Sequence, residues 1–129
     1  MTFITSKPDD CGGVSFRNDP ATEMQLYYFY ICRGGQYGLI RYMDNADPSK
    51  NLQLEDTTSQ PIIMGSDQSY LIAIVAQGFN FDVYVNRQYI ASFPDPNLSY
   101  RSGTIGVLVR SLGIGTTEVA FSNATVWTF

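Results

Sequence analysis

The chain has 129 residues, a length that suits one domain built around one core, and 44% of them are apolar. Charged residues are sparse at 16%, the formal net charge is −4, and histidine is absent. With Lys7 and Lys50 as its only lysines, the chain lacks the basic footprint of a nucleic-acid or anionic-membrane binder, and without histidine most metal, triad and dyad chemistry falls away.

Nine Tyr and eight Phe favour strands, and eleven Gly with six Pro supply turns. Period-two alternation recurs, with no sustained helical period. In chain order it predicts strands over 2–6, 12–18, 24–33, 36–43, 69–77, 80–86, 88–93, 103–110 and 117–128. The stretch 44–68 is irregular and is expected to cross between sheets, with a short strand around Leu52–Leu54. No run reaches the ~20 apolar residues of a membrane helix, and no signal peptide opens the sequence. Met1 leads at once into strand-like Thr2–Thr5, which reads as the start of a piece excised from a larger protein. The expectation is a two-sheet antiparallel sandwich, one domain over 1–129.

Four hairpins can be registered by arithmetic. A turn at Ala21-Thr22 sets Val14 opposite Phe29, Phe16 opposite Tyr27 and Ser15 opposite Tyr28. The same register lays Cys11 opposite Cys32, where directly paired Cβ atoms come close to disulfide distance. A cross-strand disulfide is the preferred reading of these two cysteines, with reduced core thiols as the alternative. A two-residue turn at Gly34-Gly35 would pair Cys32 with Tyr37 and Phe29 with Ile40. A turn at Gly78-Phe79 pairs Ile72 with Val85 and Ile74 with Val83. A turn at Asn86-Arg87 pairs Tyr84 with Tyr89 and Val83 with Ile90. Each hairpin keeps one apolar and one mixed face, so two such sheets would pack apolar face to apolar face.

These registers collect Ser15, Arg17, Tyr28, Tyr30, Tyr37 and Arg41 on the mixed face of the first sheet. Flat aromatic rings beside guanidinium groups suit a sugar: C–H groups pack on the rings and hydroxyls bond to the cations. The plainer reading is a solvated face of good cross-strand pairs, or one covered by a neighbouring domain. Glycoside hydrolysis would need two carboxyl groups facing across a cleft. Glu23, Glu55 and Glu118 are scattered and form no Glu-x-Asp-x-Glu run, so the chain is read as non-catalytic. Asp44, Asn45 and Asp47, or Asp9 and Asp10, offer hard oxygen ligands for calcium, although such loops are also ordinary turn chemistry. Asn97-Leu-Ser and Asn123-Ala-Thr fit the glycosylation pattern, which short triplets do often by chance.

Several segments resemble a known superfamily in order and spacing. They are Cys11-Gly-Gly-Val-Ser-Phe-Arg17, Tyr27-Tyr-Phe-Tyr-Ile-Cys32, Gly35-Gln-Tyr-Gly-Leu-Ile-Arg41, Val83-Tyr-Val-Asn86, Ser102-Gly-Thr-Ile-Gly-Val107 and Val119-Ala-Phe-Ser-Asn-Ala-Thr-Val126. Together they resemble bacterial concanavalin A-like, laminin-G-like jelly-roll domains, a superfamily that also includes family 16 glycoside hydrolases and 3-keto-disaccharide hydrolase-like domains. The Cys-Gly-Gly and Tyr-Phe-x-Ile-Cys segments look like C-terminal domains of some bacterial serine/threonine protein kinases. The resemblance implies a jelly roll and an extracytoplasmic sensor or adhesion role with a glycan or other cell-surface ligand. Relatives usually place Asn-Gly where this chain has Asn86-Arg87, and they often carry an additional N-terminal segment before the strand that begins here at Met1. One or more outer strands are therefore expected to be missing here, leaving an edge open to pairing between copies.

Overall fold

The computed structural model describes residues 1–5, 7–19, 21, 25–43, 52–56, 69–96, 100–111 and 113–127. They form ten strands and no helix: β1 (Thr2–Phe3), β2 (Asp10–Asn18), β3 (Leu26–Cys32), β4 (Tyr37–Tyr42), β5 (Leu52–Asp56), β6 (Ile72–Gln77), β7 (Asn80–Val85), β8 (Gln88–Pro94), β9 (Thr104–Ser111) and β10 (Val119–Ala120). All named pairs are antiparallel. One sheet runs β5-β4-β3-β2-β9, a second runs β6-β7-β8, and β1 pairs with β10. This is the expected β-sandwich.

Alternation explains the layering. On β2 and β3 the residues Phe16, Tyr27, Phe29 and Ile31 point inward, and β7 and β8 answer with Phe81, Val83, Val85 and Phe93. Aromatic rings meet across the layers: Tyr27 and Phe81 at 4.7 Å between centroids, Phe16 and Phe81 at 5.2 Å, Phe29 and Phe93 at 6.3 Å. Burying each such ring is worth about 1.5–3 kcal/mol relative to leaving it in water. A polar knot closes one end of this seam. Asp95, wholly buried just after β8, accepts the Tyr27 hydroxyl at 2.7 Å and pairs with the Arg41 guanidinium at 3.3 Å. Tyr27 also receives the Tyr100 amide at 3.3 Å. Burial, then the bond to Asp95, pushes the Tyr27 hydroxyl up to about 12.

The first hairpin has the expected register, with Val14 opposite Phe29 and Cys11 opposite Cys32. Those two cysteines are joined in a disulfide. The third hairpin also matches, with Ile72 opposite Val85 and Ile74 opposite Val83. In the fourth, Tyr84 faces Tyr89 as expected, but a register shift beyond it sets Val83 opposite Ala91 rather than Ile90. Asn86 and Arg87 both have positive φ, 51° and 67°, so the turn keeps the backbone of an Asn-Gly hairpin with arginine in the glycine position.

The second hairpin differs by one residue. Its loop holds three residues, Arg33, Gly34 and Gly35, with the Cys32 amide bonded to the Gln36 carbonyl at 2.7 Å. Gly35 takes φ 95°, the left-handed position that a three-residue loop requires. Phe29 therefore faces Leu39 and Ile31 faces Tyr37. The strand predicted over 117–128 is another correction. Among the described residues only Val119 and Ala120 pair in this stretch, with Phe3 and Thr2 of β1.

Candidate functional site

The outward face of the five-stranded sheet is set by the same alternation. Ser15 faces Tyr28 and Gly13 faces Tyr30 between β2 and β3. Tyr28 faces Ile40 and Tyr30 faces Gly38 between β3 and β4. On the other flank Cys11 faces Arg110, Gly13 faces Leu108 and Ser15 faces Gly106. Cys11, Cys32, Tyr30 and Ile40 are buried together here, with Tyr28 and Leu108 packed against them. The disulfide thus lies at one end of this face.

Three glycines shape the platform. A Cβ on Gly38 would stand 2.9 Å from the Tyr30 hydroxyl, and one on Gly106 would stand 2.8 Å from the Ser15 hydroxyl. On Gly13 it would strike the Phe29 carbonyl. Tyr30 can therefore lie flat across its neighbours, with the Arg110 guanidinium 5.5 Å from its ring centroid. Tyr28 leans toward Tyr30 at 6.2 Å and toward Tyr42 at 6.4 Å. Ser15, Leu26, Tyr28, Tyr42, Leu108 and Arg110 line a shallow depression of about 350 Å³. Burial raises the Tyr28 hydroxyl above its ordinary value, and the positive charge of Arg110 partly offsets this. The hydroxyl stays protonated at neutral pH and can donate as well as accept.

The predicted set divides in two. Ser15, Tyr28 and Tyr30 share the outward face. Tyr37 and Arg41 do not: the three-residue loop turns them to the other side, Tyr37 into the core and Arg41 onto Asp95. Arg17 also leaves the face. It sits at an irregularity between Ser15 and Asn18 with φ 51°, lies 5.1 Å over the Phe81 ring, and donates to the Gly78 and Tyr100 carbonyls at 2.8 and 3.0 Å. Tyr42 and Arg110 stand on that face instead. Moving the second register by one residue would have found Tyr42. Arg110 arrives through the β2–β9 pairing, which no tight turn sets.

Of the calcium candidates, Asp44, Asn45 and Asp47 lie outside the described residues. Asp10 is fully buried and accepts the Thr117 hydroxyl at 2.6 Å and the Lys7 amide at 3.0 Å. Among the described residues no three His, Cys, Asp or Glu side chains come together as a metal site would need. Glu23 and Asn97 lie outside the described residues, and Glu118 is exposed.

No family model matches the sequence, and no curated protein does. Among solved structures, the chain is similar to the carbohydrate-binding module CBM66 from Bacillus subtilis, with a TM-score of 0.58 and 18% identity. The match covers 82% of this chain and 62% of that one. At this identity the likeness is one of fold.

Proposed function

We propose that this chain is a non-catalytic glycan-binding module that works outside the cytoplasm. The observation that carries the reading is the Tyr28–Tyr42 depression edged by Arg110 and Ser15. It offers half-buried aromatic rings for the C–H faces of a sugar ring, with a guanidinium and hydroxyls at the rim for its oxygens. The sandwich it shares with a carbohydrate-binding module supports the same reading. The disulfide supports an oxidising compartment. A place in the C-terminal region of a bacterial serine/threonine kinase rests on the segment resemblance alone.

Glycan-array screening followed by titration calorimetry of a hit tests the proposal. Tyr28→Ala and Arg110→Ala should each weaken binding by about 1–3 kcal/mol, some 5- to 150-fold, as loss of a central contact does. Arg17→Ala, off the face, should leave affinity unchanged. The glycan reading fails if no sugar on the array is retained, or if both face variants bind like the parent.

A further inference from the structure

Among the described residues, the depression on the tyrosine face carries a single charge, that of Arg110. Arg110 enters from β9, opposite Cys11, and its guanidinium lies 5.5 Å from the Tyr30 ring centroid. Among the described residues it makes no ion pair and no hydrogen bond. The two other arginines on strands of this sheet are satisfied within the fold, Arg41 by Asp95 and Arg17 by the Gly78 and Tyr100 carbonyls. Arg17 and Arg101 line another cleft, of about 1310 Å³, on the inward side of β9.

The fold keeps carboxylates away from Arg110. Asp10, next to Cys11 on β2, is turned to the other side of the sheet and buried against Thr117. Asp9 turns toward Gly113, where an added Cβ would meet its Oδ2 at 3.1 Å. Glu55 and Asp56 belong to β5, the opposite edge of the sheet from β9, four strand spacings or about 19 Å away. The depression also has no acidic or amide side chain on its lining. It offers a guanidinium and hydroxyls as donors, and only hydroxyl oxygens as side-chain acceptors. That balance suits a ligand rich in acceptors. A half-buried cation without a counter-charge is also poorly solvated, and an anion placed on it offsets that cost.

We propose that the ligand is an acidic glycan, and that Arg110 binds the carboxylate of a hexuronate ring whose C–H face rests on Tyr28. The assignment depends on the glycan reading above and narrows it. A carboxylate is planar and takes two parallel N–H bonds from a guanidinium. The Tyr30 ring holds that guanidinium in place, so less side-chain freedom is lost on binding. The charge of Arg110 already acts on the Tyr28 hydroxyl, which puts both contacts in one site. With a net charge of −4 the chain has no general attraction for polyanions, so selectivity falls to this contact.

The probes are tetrasaccharides of galacturonate, mannuronate, guluronate and unsulfated hyaluronan. Each is titrated beside its carboxyl-reduced form, in which the carboxylate becomes a primary alcohol and the ring is unchanged. At least one should bind, and reduction should weaken it about tenfold or more, as loss of a charge-assisted hydrogen bond does. This comparison uses the wild-type chain, so it does not depend on a variant folding. Arg110→Gln should bind the acidic and reduced forms alike, and Arg110→Lys should fall between. Equal affinity of the wild type for a sugar and its reduced form would overturn the acidic assignment and leave the glycan reading standing. A neutral glycan retained while all four acidic probes are refused would do the same. An acidic preference that survives Arg110→Gln would overturn the role of Arg110. Dextran sulfate bound as tightly as the uronates would replace the carboxylate contact with general charge attraction. No glycan retained at all would overturn both readings together.

Discussion

Asp95 is a wholly buried carboxylate with partners on two strands. It lies after β8, yet its partners Tyr27 and Arg41 belong to β3 and β4, so it fastens one layer to the other. Asp95→Ala would take the carboxylate from both the Tyr27 hydroxyl and the Arg41 guanidinium, the latter only 11% exposed, and should cost about 3–5 kcal/mol. Urea denaturation measures this, and a loss below about 1 kcal/mol would mean the pair is replaceable by solvent. The knot also has a pH signature. The folded Tyr27 hydroxyl titrates near 12, above its ordinary 10, so between these values the unfolded chain has lost a proton that the folded chain keeps. Stability should therefore fall as pH rises from 10 to 12, and Tyr27→Phe should flatten that limb. Asp10 acts at the other end of the scale. Burial alone would raise it, but hydrogen bonds from Thr117, Thr5 and the Lys7 amide hold it below its ordinary value. That stabilisation is present at neutral pH and disappears as acid protonates the carboxylate, below about pH 4.

At the scale of elements, turns decided which face each side chain joined. Two hairpins, β2–β3 and β6–β7, have the registers that keep their apolar residues on one face. The Gly34-Gly35 pair suited a two-residue turn, but the chain uses Arg33 as well, and one added residue moved Tyr37 and Arg41 to the opposite side of β4. The Asn86-Arg87 turn gives a direct test of turn chemistry. Arg87 holds φ 67° with a Cβ in place, a conformation that costs a side-chain-bearing residue about 1–2 kcal/mol. Arg87→Gly removes that strain but gives the unfolded chain more freedom, so a net gain of about 0.5–1 kcal/mol is expected. Thermal melts of the two proteins decide it, and a lower melting temperature for the glycine variant would show that the arginine side chain contributes elsewhere.

At the scale of the molecule, the sandwich was legible because alternation marks an inner face on every long strand, and a sheet with one apolar face must be covered. The β2–β9 pairing was not. It joins residues nearly a hundred positions apart, such as Val14 and Val107, and no turn fixes its register. The candidate site was legible to the same degree: Ser15, Tyr28 and Tyr30 follow from the first hairpin, whereas Arg110 needs the long-range pair. The disulfide acts on the whole chain too, closing a loop with a sequence separation of 21. Replacing both Cys11 and Cys32 by Ser should lower unfolding free energy by about 3 kcal/mol on the chain-entropy account. Urea midpoints of the wild type with and without reductant, beside the double variant, would check this. Coincident midpoints for all three would assign the stability of that end to packing instead.

Trp127, the single tryptophan of the sequence, is 77% exposed and lines, with Ile72 and Ile74 of β6 and Ile105 of β9, a cleft of about 1310 Å³. The indole is thus the molecule's one long-wavelength fluorophore, set where anything that entered the cleft would shield it from water. An emission shift to the blue, or protection from acrylamide quenching, would report occupancy of the cleft alone.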